Sequence, residues 1–158
     1  MTRRLKEIME EEMGVLERID KIMKEEREIL LSNDAGRLSE LLVQLWELIA
    51  NLNELEEERI GLVEEMASLL GVPQDRVTIS RIADGMGDEE MDTIIGKIED
   101  LIEDIRRTNE ENRFIIEWGM EYAGFVLGIL EKIWGPEVEV YGASKGRYSQ
   151  PLLVDNTA

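Results

Sequence analysis

Residues 88–134 read DEEMDTIIGKIEDLIEDIRRTNEENRFIIEWGMEYAGFVLGILEKIW, and this stretch decides the fold. The spacing predicts one long helix from about Asp88 to Trp134 whose character changes halfway. Met91, Ile94, Ile95, Ile98, Leu101, Ile102 and Ile105 form a narrow stripe at coiled-coil spacing. Such a stripe suffices to face one or two partner helices. From Phe114 to Trp134 the apolar residues nearly encircle the axis, and a helix that is apolar all round has to be covered by something.

Two further helices precede it. The first is expected over residues 2–31, with a seam at Leu5, Ile8, Met9, Val15, Leu16, Ile19, Ile22, Met23, Ile29 and Leu30, and with Glu12 and Glu26 also on seam positions. Residues 32–36, Ser-Asn-Asp-Ala-Gly, are turn-forming types, and Asp34 is placed to cap the next helix. The second is expected over residues 35–70, with a seam at Leu38, Leu41, Leu45, Leu48, Leu52, Leu55, Leu62, Met66 and Leu69 that only Arg59 interrupts. Gly71 and Pro73 end it. The turn near Asn33 folds the two helices into an antiparallel hairpin in which Arg59 comes opposite Glu12 or a neighbour, a structural ion pair that fixes register. Val72 to Gly87 reads as a connector with short helical turns at 74–79 and 80–84, the second capped by Ser80. Gly85-Met86-Gly87 reads as flexible. Asp88 should cap the third helix, with Glu89 and Glu90 at its positive end.

The fold class is therefore all-α: an elongated antiparallel three-helix coiled coil or bundle with a short helical connector and a flexible C-terminal tail. Helices at about 2–31, 35–70 and 88–134 make one bundle over residues 1–134, and Gly135-Pro136 opens a tail over 135–158.

Composition narrows the function. The 158 residues carry a formal net charge of -18, which repels nucleic acid. There is no cysteine and no histidine, so disulfides, thiolate catalysis, zinc fingers and histidine acid–base chemistry are excluded within the chain. The acidic runs at 10–12 and 88–90 are contiguous, so their carboxylates fan out around a helix rather than converge. Gly85 and Gly87, and likewise Gly142 to Gly146, lack the strand-and-helix context of a phosphate loop. The expectation is a non-enzyme with no cofactor and no metal. The N-terminus, MTRRLKEIMEEEM, has no apolar core of signal-peptide length, which points to the cytoplasm. Tyr122 to Leu130, the most apolar window, is too short to span a bilayer and is flanked by Glu117, Glu121 and Glu131, so no membrane insertion is expected.

At 1.5 Å per residue the three helices would be about 45, 54 and 70 Å long. If the third starts level with the end of the second, its last dozen residues, from Tyr122 on, project past the hairpin. Phe114, Trp118, Tyr122 and Phe125 form an aromatic ridge at steps of four, four and three, while Ile115, Gly119, Val126 and Ile133 lie on another side. Gly119, Gly124 and Gly128 each cost about 1 kcal/mol relative to alanine in a helix interior. They suggest that another backbone comes close or that the helix bends.

The pattern resembles the FlgN family of flagellar export chaperones. Leucine heptads lead into Asn33-Asp34 and then Leu38 and Leu41. The run Glu56-Glu57-Glu58-Arg59 falls shortly before the end at Leu69-Leu70-Gly71. Asn109 and Asn112, followed by Ile115 and Ile116, are similar to the paired asparagines of that family's last long helix, and Tyr141-Gly142 with Gly146 is similar to its tail. The likeness spans nearly the whole chain, although Phe114 to Trp134 matches no family motif. It implies a cytoplasmic chaperone that binds hook-associated (hook–filament junction) proteins. Such a chaperone prevents their premature assembly and helps deliver them to the flagellar export apparatus, a type III secretion system. In that family the C-terminal part carries client binding.

The client-binding residues expected here are Phe114, Trp118, Tyr122, Phe125, Val126, Ile129, Leu130 and Ile133, with Tyr141 and Gly142 of the tail. Asn109 and Asn112 are expected to make inter-helix hydrogen bonds. The alternative is a self-associating coiled-coil structural or adaptor protein without flagellar cargo, a homodimer through the same apolar end.

Overall fold

The computed structural model describes residues 1–73, 78–86 and 88–135. The fold is all-α, with α1 at Thr2–Ser32, α2 at Ala35–Leu70, α3 at Ile79–Met86 and α4 at Glu89–Trp134. The chain divides into two compact units, Met1–Arg113 and Phe114–Ala158. The tail with Tyr141 and Gly142 lies outside the described residues, as do Gln74 to Val77 and Gly87.

In the first unit, α1 and α2 form a helical hairpin. The reversal is compact because Asn33 adopts the left-handed conformation, φ 57°, which asparagine tolerates better than most side-chain-bearing residues. The Asp34 carboxylate then accepts the Arg37 backbone N–H at 3.1 Å and starts α2. At the far end Gly71, φ 64°, closes α2 through bonds to Ser68 and Ala67 carbonyls.

Two apolar clusters hold the unit together. One runs along the hairpin: Ile8, Val15, Ile19, Ile22, Met23 and Ile29 of α1 against Leu41, Leu48 and Leu55 of α2, with Ile105 of α4 packed on it. The other closes the hairpin's open end, where Leu5, Met9 and Met66 meet Ile82 of α3 and Met91 and Ile94 of α4. Each fully buried leucine or isoleucine contributes about 2 kcal/mol.

The two ends of the α2 seam behave differently. Leu69, a seam position by heptad count, is exposed, and Ala67 is buried in its place. Ala67 shares a column with Val63 on the side where Ile79 and Ile82 of α3 pack, so at this end α3 adds a second buried face to α2.

The connector also differs from expectation. The helix Ile79–Met86 takes the place of the turn expected over 80–84 and runs through Gly85, while most of the turn expected over 74–79 lies outside the described residues. Thr78 rather than Ser80 caps it, its hydroxyl accepting the Arg81 N–H at 3.3 Å. Ile79 and Ile82, one turn apart, both pack onto the second cluster, and their burial sets where the helix begins. Asp88 caps α4 as expected from its type, accepting the N–H groups of Glu90 and Met91 at 3.1 and 3.3 Å.

Within the first unit α4 runs parallel to α1. Lys6 pairs with Glu90 and Arg27 with Glu111, the latter at 2.5 Å, and both pairs are 84 residues apart in sequence. That constant offset marks a fixed register, which Met91, Ile94, Thr108 and Asn112 hold by burial.

Candidate functional site

The polar positions inside the first unit explain its specificity. Arg59 Nε donates to Glu12 Oε1 at 2.8 Å across the hairpin, and Glu12 is buried. A buried carboxylate is costly without a partner, so the pair selects one register of α1 against α2. Asn112 is buried, and its Nδ2 donates to the Met23 carbonyl at 2.9 Å, tying α4 to α1. Its Oδ1 is also buried and has no hydrogen-bond partner among the described residues. Glu26 lies beside it, and burial pushes its carboxyl above the usual carboxylate range, partly offset by hydrogen bonding from Asn112. Asn109, expected at the same seam as Asn112, is exposed instead. A step of three residues rotates a side chain by about 60° around the axis, enough to carry it out of a narrow contact.

The second unit presents a different surface. No side chain of α4 from Phe114 to Trp134 is buried. Phe114, Trp118, Tyr122 and Phe125 are each between 59% and 68% exposed. On a helix with 3.6 residues per turn, these four with Ile129 fall within about 80° of the circumference, and Ile133, expected on another side, falls only about 20° beyond Tyr122 and so joins their edge. They make one continuous apolar stripe. The Trp118 and Tyr122 rings stack with centroids 5.9 Å apart and planes 16° from parallel, which stiffens its centre. Val126 and Leu130 border the stripe and are only partly exposed. Glu117 and Glu121 form its other border by position, so one edge is acidic.

The glycines of this segment meet nothing. A Cβ built at Gly119, Gly124 or Gly128 has no neighbour within 4 Å. The close backbone approach that these residues suggest is therefore not made by the chain's own described residues.

Sequence reasoning passed over another apolar surface, on α2 of the first unit, where Leu42, Val43, Trp46 and Ile49 are exposed. The signal was present as a second column beside the core seam.

Among the described residues no group of acidic side chains converges as a metal site, and no helix is long and apolar enough to cross a membrane. These features define an all-α bundle whose longest helix ends in a bare apolar stripe, a protein suited to binding other chains. The family model described as FlgN protein matches residues 1–149. The chain belongs to the FlgN family, whose general role is that of a flagellar export chaperone. No curated protein and no solved structure matches it.

Proposed function

We propose that this chaperone acts in the cytoplasm on hook-associated junction proteins and receives a client's amphipathic terminal helix along α4 between Phe114 and Ile133. The observation that carries the reading is the bare stripe: six large apolar side chains on one face, none buried. Exposed apolar surface of that extent marks an interaction site, and an amphipathic helix fits it through anchors at i, i+3 and i+4 spacing. Phe114, Trp118, Tyr122, Phe125, Ile129 and Ile133 are the anchors, with Val126 and Leu130 at the rim. Gly124 and Gly128 admit the client backbone. Tyr141 and Gly142 of the tail complete the client contact. Covering the client's terminal helix prevents premature assembly, and handing it to the export apparatus frees the stripe again.

The test is a titration of the purified chain with terminal-helix peptides of hook-associated proteins, followed by tryptophan fluorescence and sedimentation. A saturable one-to-one complex that disappears in the triple variant Trp118→Ala, Tyr122→Ala, Phe125→Ala supports the proposal. If sedimentation instead shows a tight homodimer that buries Trp118 and ignores these peptides, the stripe is a self-association surface and the client reading fails.

A further inference from the structure

The α2 helix carries two apolar columns. The first, through Leu41, Leu48 and Leu55, faces α1 and is buried. The second starts one residue later and keeps the same alternation of four and three: Leu42, Trp46, Ile49, Asn53, Glu56, Ile60, Val63, Ala67. Its lower half has an occupant. Ala67 is fully buried, Val63 packs in the cluster that contains Ile79 and Ile82 of α3, and Ile60 lines a cleft with Thr78 and Ile79. The upper half is bare. Trp46 is 76% exposed, Val43 beside it 60%, and Leu42 and Ile49 lie open on either side. A helix that uses one end of a column to hold its own chain's α3 leaves the other end shaped for a second short helix.

The charges name the chemistry of that second helix. From Leu38 to Glu58 the sequence has six glutamates and neither lysine nor arginine. Glu40, Glu47 and Glu54 recur at heptad steps, so they form a rail along one border of the bare patch. A second copy of this chain would bring the same acidic rail to the contact and be repelled, whereas a helix with basic borders would be attracted. An exposed indole face is also the best side-chain platform for an arginine or lysine cation.

We propose that Leu42, Val43, Trp46 and Ile49 of α2 form a docking site for a short amphipathic helix of a different protein, with an aliphatic stripe and lysine- or arginine-rich flanks. The site is separate from the α4 stripe and belongs to the first unit. It gives the protein a surface for a second, basic partner while a client is held elsewhere.

The probe is a synthetic 14-residue amphipathic peptide with a leucine–isoleucine stripe and lysine–arginine flanks, set against the same stripe with glutamate flanks. The protein carries Trp118→Phe and Trp134→Phe, so that Trp46 is the single tryptophan and is excited selectively over tyrosine. The expected result is saturable binding of the basic peptide with a blue shift of Trp46 emission, weakened by salt, and no binding of the acidic one. Trp46→Glu, monitored by anisotropy of a labelled peptide, is the decisive variant. It adds a negative charge, so attraction to a diffuse acidic surface would rise, whereas loss of the docking site lowers affinity at least tenfold. Circular dichroism checks that this exposed substitution leaves the helices intact. The α4 triple variant keeps full affinity for the basic peptide, which separates this site from the client stripe. Unchanged or tighter binding to Trp46→Glu overturns the proposal. So does equal binding of the acidic peptide, or a homodimer that Trp46→Glu dissolves.

Discussion

Replacing Gly124 and Gly128 together by alanine should stabilise the helix and damage client binding at the same time. A Cβ at either position meets nothing within 4 Å among the described residues. Each substitution therefore gains the full propensity difference, about 1 kcal/mol, or a roughly fivefold change in a local opening equilibrium. If the two glycines open in one cooperative step, hydrogen exchange of the amides between about residues 120 and 130 slows about 25-fold. A stiffer, better-ordered helix on its own would bind a client more tightly, because less freedom is lost on docking. Should the client backbone lie against the glycines, each new methyl instead overpacks the contact at a cost of about 1–3 kcal/mol. A terminal-helix peptide of a hook-associated protein should then bind at least fivefold more weakly. Isothermal titration together with exchange measured on the same samples gives both numbers. Slower exchange with unchanged or improved affinity refutes the reasoning, and the glycines would then have no role in close approach.

Other outcomes follow from the packed unit. Glu26→Gln should raise stability at neutral pH by about 1 kcal/mol, since an amide can donate to the unpaired Asn112 Oδ1. The sign with pH follows from burial holding the folded-state pKa above the ordinary carboxylate value: the neutral acid is buried without penalty below that value, and stability is lost as pH rises through the raised pKa. The advantage of Glu26→Gln in urea unfolding should therefore shrink as pH falls through the raised pKa and level off below the ordinary carboxylate value, and an equal advantage at every pH would contradict it. Arg59→Ala leaves the buried Glu12 carboxylate without its 2.8 Å donor and should cost about 3 kcal/mol, while Glu12→Leu with Arg59→Leu should be close to neutral. A double-mutant cycle by chemical denaturation measures both. Trp118→Ala, Tyr122→Ala and Phe125→Ala together should leave helix content by circular dichroism nearly unchanged, because all three side chains are mostly exposed. Cooperative loss of the whole bundle would show instead that they are core.

Much of the bundle was legible because burial in a hairpin has a period. The eleven buried residues of α1 include Glu12 and Glu26, both on the heptad seam. Capping was equally legible at Asp34, Gly71 and Asp88, where one side chain or one backbone conformation settles the boundary locally. The connector was not, because Thr78 and Ser80 are equivalent as hydroxyl caps and only the packing of Ile79 and Ile82 against Met66 chooses between them. Asn109 and Asn112 also read alike, and only the docking angle of α4 on α1 buries one and exposes the other. The bare stripe of α4 was visible as an apolar helix too round for its neighbours, but the patch at Trp46 was hidden. Its residues sit in the same helix turns as a strong core seam, and in a sequence the two columns merge.

What the chain determines by itself is therefore what depends on neighbours along it. The three long helices, their ends, the hairpin and the acidic field all follow from side chains within a turn or two, or from total charge. What only tertiary structure decided is which apolar column is spent on the core and which is left over. That depends on the register of α1, α2 and α4, and register is chosen by buried pairs such as Glu12 with Arg59 and Asn112 with the Met23 carbonyl, whose members meet only after the chain has folded.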